Sequence, residues 1–151
     1  MHLKDDELAA ALGDHADVTA LLVATYARVA TAVSFTRMLT PLGDYLIARP
    51  AARATAHHIT AETDVPLDAA VVLGLSADAL HVWSADPMLD QVGEYLGLVP
   101  LKRITAMRAT PGRSWQALTI KLDGGHEINL EARAASHALV AAYNQLTAAP
   151  S

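Results

Sequence analysis

Five basic residues lie within one short segment of the sequence, residues 102–121, and no acidic residue lies among them. The preceding residues 1–101 carry a net charge of -8, so the sign of the charge reverses along the chain. Such a cluster could bind phosphate groups or an anionic membrane, because guanidinium groups contact phosphate oxygens in pairs. Alternatively, these residues keep the surface soluble and pair with Glu127, Glu131 and the acidic first half of the chain. The binding candidates are Lys102, Arg103, Arg108, Arg113 and Lys121.

Nucleic acid is not an expected partner, although this segment is basic. The whole chain has a net charge of -5, and Trp115 is the single aromatic residue among residues 102–121. Proteins that bind nucleic acid in this way stack several aromatic side chains on the bases. We therefore expect a protein partner or an anionic membrane surface.

The histidines raise the question of a metal site. His58 and Glu62 are spaced four residues apart and could share one face of a helix. The sequence has no cysteine and no HExxH motif, which are the usual sources of further ligands. We therefore predict no metal ion and no other cofactor, and we interpret His58 as part of an exposed helix end. His126 is predicted on the apolar face of a strand, as a hydrogen-bonded or edge histidine.

Serine catalysis has one superficial candidate. Residues 74–78 are Gly-Leu-Ser-Ala-Asp, so aspartate stands where a nucleophile elbow needs its second glycine. Ser76 also falls in an expected hairpin turn with no helix after it. The sequence contains no glycine-rich phosphate loop either. We predict no catalytic residue and a protein that is not an enzyme.

Two tryptophans are candidates for an interface. Trp83 and Trp115 occupy the polar positions of their strands, together with His81. Large amphipathic aromatics on the outer face of a sheet often form a recognition patch or a subunit contact. The alternative is that helices from the N-terminal part of the chain cover that face.

The clearest prediction of secondary structure is a β-hairpin between residues 115 and 132. Apolar and polar residues alternate on both sides of Asp123-Gly124-Gly125, which predicts two antiparallel strands. A three-residue loop keeps both apolar faces on one side, and its two glycines allow the positive φ that such a turn needs. The predicted pairs are Leu122 with His126, Ile120 with Ile128, Leu118 with Leu130, and Lys121 with Glu127.

Further strands are predicted at residues 71–75 and 80–83, joined by a turn at 76–78, and at residues 101–109. Residues 85–100 contain two glycines and two prolines, which favour an irregular loop with one short strand near 94–99. Apolar residues recur at helical spacing near the end of the chain, with Ser136 available as a cap. That spacing predicts a C-terminal helix that covers one face of the sheet.

The N-terminal third is predicted to be helical. Apolar residues at 18, 21, 22, 29 and 33 form a single helical stripe, and residues 5–12 favour a shorter helix. Because the stripe needs an apolar partner, it could also form a homodimer. The interface candidates there are Leu21, Leu22 and Val29. Residues 34–66 are predicted to contain short helices and loops, with helical propensity at 51–56.

Length and composition set the broad class of the protein. A chain of 151 residues fits one domain and can bury a sizeable core without disulfides. The most apolar window is shorter than a membrane-spanning helix needs and is interrupted by Arg28. The first residues are acidic, whereas a signal peptide begins with a basic segment. We therefore expect a cytoplasmic protein without a transmembrane segment.

The order of strands followed by a terminal helix resembles the pleckstrin-homology-like fold of bacteria. The resemblance is carried by residues 71–83, 99–104 and 118–128, which contain an apolar strand and turn, a Pro-Leu-x-x-Ile segment and an Asp-Gly hairpin. It implies an α+β protein with an antiparallel sheet or partly open barrel, capped by a C-terminal helix. Residues 67–148 would form this unit, and residues 1–66 would be a helical extension and linker that packs on it.

The resemblance also implies an interaction module, since this fold mostly binds lipid headgroups, peptides or proteins. The first hypothesis is therefore binding of a protein partner or an anionic lipid through the edge, loops and basic strands of the sheet. A helix-grip binder of small molecules is an alternative, because such proteins also end in a helix. A third is a structural role through self-association of the N-terminal helices.

Overall fold

The computed structural model of the protein describes residues 23–29, 49–86, 91–110, 116–132 and 136–148. These ranges contain seven strands and two α-helices, and short 3₁₀ turns at Leu101–Arg103 and Asp123–Gly125. In chain order the elements are β1 (Val23–Val29), α1 (Arg49–Thr63), β2 (Ala70–Leu75), β3 (Ala79–Asp86), β4 (Gln91–Pro100), β5 (Ile104–Thr110), β6 (Gln116–Leu122), β7 (Glu127–Ala132) and α2 (Ser136–Thr147).

The described strands form one antiparallel sheet in the order β4-β3-β2-β1-β7-β6-β5. β4 and β5 are therefore its two edges, yet only Leu101–Arg103 separates them along the chain. Three residues of 3₁₀ helix advance by only about 6 Å. The sheet must therefore curve until the end of β4 and the start of β5 lie close together.

The alternation of the sequence decides which strands have an exposed face. In β6 every second residue is buried, and Leu118, Ile120 and Leu122 belong to the hydrophobic core. β2 instead contains only apolar residues and glycine, and all of its residues are buried. A strand without polar positions suits the middle of a sheet that is covered on both faces. The core lies on the face of the sheet where α2 packs Leu139 and Tyr143.

The predicted hairpin between β6 and β7 is confirmed. Ile120 pairs with Ile128, Leu118 with Leu130 and Lys121 with Glu127. The turn at Asp123–Gly125 has both glycines at positive φ, 81° and 86°. These angles explain why two glycines follow the aspartate. His126 precedes β7, and its side chain is exposed instead of facing the core.

The N-terminal prediction is wrong. Residues 23–29 form β1, which pairs with β2 on one side and with β7 on the other, so the fold class of N-terminal helices followed by a sheet is corrected. The described chain is mainly an antiparallel sheet with α1 and α2. Thr25 and Ala27 are buried two residues apart, which is the period of a strand. Residues 5–12 and the interface candidates Leu21 and Leu22 lie outside the described residues.

Two other described segments, residues 49–63 and 91–100, are also more regular than predicted. Helical propensity was confined to residues 51–56, whereas α1 runs over Arg49–Thr63 and begins with Pro50 in its first turn, where proline is tolerated. It ends at Asp64, whose φ of 60° is the left-handed cap position. Residues 91–100, expected as a loop with a short strand, form the full edge strand β4.

A bulge in β4 accommodates Gly97, one of the two glycines of this strand. Val82 pairs with Gly97 and Trp83 with Tyr95, so Leu96 is the extra residue. Gly97 has a φ of 147°, and a Cβ at this position would lie 3.1 Å from Cγ of Pro66. The bulge brings Leu96 against the core cluster beside that proline.

We expect Gly97→Ala to lower the free energy of unfolding by about 1–3 kcal/mol, because it combines a disfavoured φ with the contact to Pro66. Gly125→Ala is the matched control, since its φ is also positive but no atom lies within 4 Å of the added Cβ. Urea denaturation of both variants measures the difference. An equal loss in the two variants would show that the Pro66 contact adds nothing.

A second prediction concerns an ion pair across the centre of the sheet. Arg28 and Glu131 face each other in the β1–β7 register, and Arg28 Nη2 lies 2.8 Å from Glu131 Oε2. Their side chains are only 21% and 9% exposed. A double-mutant cycle with Arg28→Met and Glu131→Gln should give a coupling energy of about 1–3 kcal/mol.

The comparison pair is His58 and Glu62 on α1, which are 3.1 Å apart but mostly exposed. The same cycle there, with both residues changed to alanine, should give less than about 0.5 kcal/mol because water screens the pair. A coupling energy at Arg28–Glu131 as small as that of the exposed pair would contradict a stabilising role for the buried one.

Candidate functional site

A groove runs between the edge strand β5 and the C-terminal half of α2. It has a volume of about 630 Å³. One wall consists of residues of β5 and the other of residues of α2, and Ala77, Leu101 and Lys102 close one end. The wall residues are Ile104, Thr105, Ala106 and Met107 on β5, and Tyr143, Asn144, Leu146 and Thr147 on α2.

Tyr143 fixes the distance between the two walls. Its hydroxyl donates a 2.8 Å hydrogen bond to the backbone carbonyl of Ile104, the first residue of β5. Burial raises the pKa of the Tyr143 phenol, and a side-chain hydrogen bond with Thr147 offsets part of this effect. The phenol therefore remains a proton donor at neutral pH. This bond holds α2 against the start of β5.

β5 presents an open backbone edge to this groove. It pairs with β6 on one side, from Ala106–Lys121 to Thr110–Ala117, and no described strand lies on its other side. Alternate N–H and C=O groups of an edge strand point away from the sheet and can bind another strand. Thr105 is a bulge residue at the start of β5 and lines the groove.

The structure separates the basic residues that the sequence grouped together. Arg103 is engaged within the protein: Nη2 donates a 2.8 Å hydrogen bond to the carbonyl of Thr63, and Nε lies 3.6 Å from Oδ1 of Asp123. A cation suits the carbonyl end of a helix such as α1. Arg103 therefore connects the 3₁₀ turn to α1 and to the β6–β7 turn.

Three other basic candidates are exposed. Arg108 and Lys121 lie on the outer face of β5 and β6, where Arg108 is opposite Thr119 and Lys121 is opposite Ala106. Lys102 lies at the end of the groove. The structure thus brings three of the five candidates to the β5 side of the molecule. Arg113 lies outside the described residues.

The tryptophan candidates do not form an exposed patch in the described structure. Trp83 is fully buried, and its ring contacts the rings of Tyr95 and His81 at centroid distances of 5.3 and 5.9 Å. It therefore offers no surface to a partner in this conformation. Trp115 lies outside the described residues, as does the side chain of Val29.

Sequence reasoning missed a chain of hydrogen bonds at the β2–β3 turn. Ser76 Oγ lies 2.9 Å from Nε2 of His81, and His81 Nδ1 lies 2.9 Å from the hydroxyl of Tyr95. Oδ1 of Asp78 is 3.1 Å from the same serine oxygen. A two-residue turn places residues 76 and 81 on the same face of the hairpin. This spacing is the sequence feature from which the contact between Ser76 and His81 could have been predicted.

This serine and histidine have the spacing of a nucleophile and its base. However, Ser76 is 2% exposed and His81 is 3% exposed, so a substrate has no access to the serine oxygen. Asp78 also takes part in the turn through its carbonyl, which accepts a 3.1 Å hydrogen bond from Leu101. These hydrogen bonds therefore fix the β2–β3 turn, which contributes Ala77 to the β5–α2 groove.

A smaller groove of about 350 Å³ lies between α1 and β4. Residues of both elements and the connector between α1 and β2 line it, including His57, Thr60, Leu67 and Leu96. Leu98 on β4 is 45% exposed. None of the described residues that line this groove carries a carboxylate, lysine or arginine, so its chemistry is less selective than that of the β5 groove.

We predict different roles for two arginines of the basic segment. Arg103→Met should lower the free energy of unfolding by about 1–2 kcal/mol, because it removes a charged hydrogen bond to Thr63. Arg108→Met, at an exposed position on β5, should change it by less than about 0.5 kcal/mol. Denaturation curves of both variants test this difference. If Arg103→Met is as neutral as Arg108→Met, the contact to Thr63 is not a structural tie.

No protein-family model matches the chain, and no curated protein is similar enough to it to count as a match. No described helix is long and apolar enough to cross a membrane.

Proposed function

We propose that the protein is a non-enzymatic interaction module that binds an extended segment of a protein partner by adding it as a strand to β5. The observation that carries this proposal is the open edge of β5 beside a groove of about 630 Å³. In strand addition the main chain supplies the affinity, and alternate side chains that enter pockets supply the specificity. The β5–α2 groove offers both parts together.

The register of β5 supports a regular added strand. From Ala106 to Thr110 the pairing with β6 runs without interruption, so the opposite edge of these residues is a continuous template. Side chains of the added strand that point inward would meet Met107 and Tyr143, which are buried at the base of the groove. Asn144 and Thr147 would contact them from α2.

Membrane binding is weaker as an explanation of this surface. Lys102, Arg108 and Lys121 are its exposed cations, and each contributes about 1 kcal/mol near an anionic membrane. About 3 kcal/mol is below what stable attachment requires. Lys121 also faces Glu127 in the next strand. Anionic lipid is therefore an outcome of the test and not the proposed ligand.

A helix-grip binder of small molecules is also less consistent with the core. In such proteins a cavity separates the terminal helix from the sheet. Here α2 places Leu139 in the core with 0% exposure, and Tyr143 bonds directly to Ile104. At these two residues the helix packs directly against the sheet, where a ligand of a helix-grip protein would lie.

The test uses two neighbouring positions on α2. Asn144 and Gln145 are both exposed, but only Asn144 lines the groove. Peptides selected from a random displayed library for binding to the unmodified protein should lose at least about tenfold in affinity for Asn144→Trp, because the indole fills the groove. The same peptides should bind Gln145→Trp unchanged.

Titration of isotope-labelled protein by nuclear magnetic resonance should place the shifted amides on β5 and α2. Vesicles of pure phosphatidylcholine and vesicles with added phosphatidylserine provide the lipid arm. Peptides that bind both tryptophan variants equally would contradict the groove as the site. Binding to the anionic vesicles alone, with no peptide selected, would replace the proposal by a lipid surface.

A further inference from the structure

We infer that the segment bound at β5 is an acidic strand, in which glutamate or aspartate alternates with apolar residues. This inference rests on the proposed function and adds the chemistry of the partner. It follows from the charges that the sheet register places next to the open edge. The outer face there presents cations, and the inner face presents the groove.

Arg108 defines the first acidic position. On β6 its neighbour is Thr119, whose hydroxyl donates a 3.1 Å hydrogen bond to Asn129 on β7. This row across the outer face is therefore neutral up to the exposed guanidinium at its end. The outward side chain of an added strand would lie about 5 Å from Arg108, measured between Cβ atoms. A carboxylate at that position would complete the row with a charge-assisted hydrogen bond.

Lys121 defines the second acidic position. One row across the outer face runs from Glu127 on β7 through Lys121 on β6 to Ala106 on β5. The first side chain is negative, the second is positive and the third is an uncharged methyl group. An added strand would lie about 10 Å from β6, two strand spacings away. The small side chain of Ala106 leaves the lysine a path over it toward the edge. A carboxylate there would continue the alternation of charge.

The inward positions of the bound strand are apolar. They face Met107 and Tyr143, which are buried, and Asn144 on the wall formed by α2. Among the described residues that line the groove there is no carboxylate, and Lys102 at its end is the only charged group. An acidic side chain that points inward could therefore pair only with Lys102, whereas an apolar side chain would fill the groove.

The same residues exclude other strands. A basic segment would place its cations beside Arg108 and Lys121, and like charges opposite each other weaken strand pairing. A cation on an edge strand is a common defence against uncontrolled association. On β5 this defence selects for one type of partner, because a negative strand reverses the sign of the interaction.

The experiment compares octapeptides that alternate glutamate with valine and lysine with valine, titrated into isotope-labelled protein at low salt. We expect the acidic peptide to bind the unmodified protein about tenfold more tightly than the basic one, with amide shifts on β5 and α2. Arg108→Glu should lower the affinity for the acidic peptide and raise the affinity for the basic one. The acidic peptide methylated on all of its backbone nitrogens should not bind, because neither of its edges can then pair with β5.

Arg53→Glu is the control for the change in net charge. Arg53 lies on α1, its side chain is 51% exposed, and its Nε lies 3.3 Å from Oδ1 of Asp68. It should leave both affinities unchanged, and Arg108→Gln replaces Arg108→Glu if that variant does not fold. Equal affinities of the two peptides overturn the acidic preference but leave the groove, provided Asn144→Trp weakens both. Failure of both peptides, while library peptides still bind at β5, also overturns this inference alone. Binding that survives methylation, or that Arg53→Glu removes as well, overturns it as non-specific attraction.

Discussion

The fold depends on β1, which is the described strand that pairs with both halves of the sheet. β2, β3 and β4 lie on one side of it, and β7, β6 and β5 lie on the other. The link to β7 is short, because only Ala27, Arg28 and Val29 take part in it. Both helices pack against β1, and the Arg28–Glu131 pair crosses the junction. Loss of this strand would interrupt the pairing between β2 and β7, so the position of each edge strand relative to the other depends on β1.

The groove is a consequence of this arrangement. Because the sheet curves, the connector from β4 to β5 lies next to the β2–β3 turn, and Leu101 donates its hydrogen bond to Asp78 there. Arg103 attaches the same connector to α1. Tyr143 then sets α2 against the start of β5. Each of these contacts joins residues far apart in sequence, so the groove has a defined shape only in the complete fold.

This distance in sequence explains what could be predicted. The β6–β7 hairpin is local: a period of two on each side of two glycines determines its register without any other strand. β1 is not local, because its partners are residues 70–75 and 130–132. Its apolar residues also fit a helical stripe, and tertiary pairing decided between the two. The resemblance to the pleckstrin-homology-like fold stays a prediction.

The site was predictable only in its chemistry. The exposed cations Lys102, Arg108 and Lys121 could be named from the sequence, but the internal role of Arg103 could not, because Thr63 and Asp123 are brought to it by α1 and the β6–β7 turn. The two glycines and the proline of residues 91–100 concealed β4, which tolerates Gly97 through a bulge. Propensity reads such residues as breakers, although a bulge needs one of them.

The two edges of the sheet differ in how they resist association. β4 carries two interruptions of its register, and an irregular edge is a poor template for any added strand. β5 has a single bulge at its start and then five regular positions, with Arg108 among them. An irregular edge is a poor template for every added strand. A charged edge is a poor template only for strands that are neutral or carry charge of the same sign. β5, the edge strand beside α2, therefore has the weaker protection against a strand of opposite charge. This asymmetry is why we propose binding at β5 and not at β4.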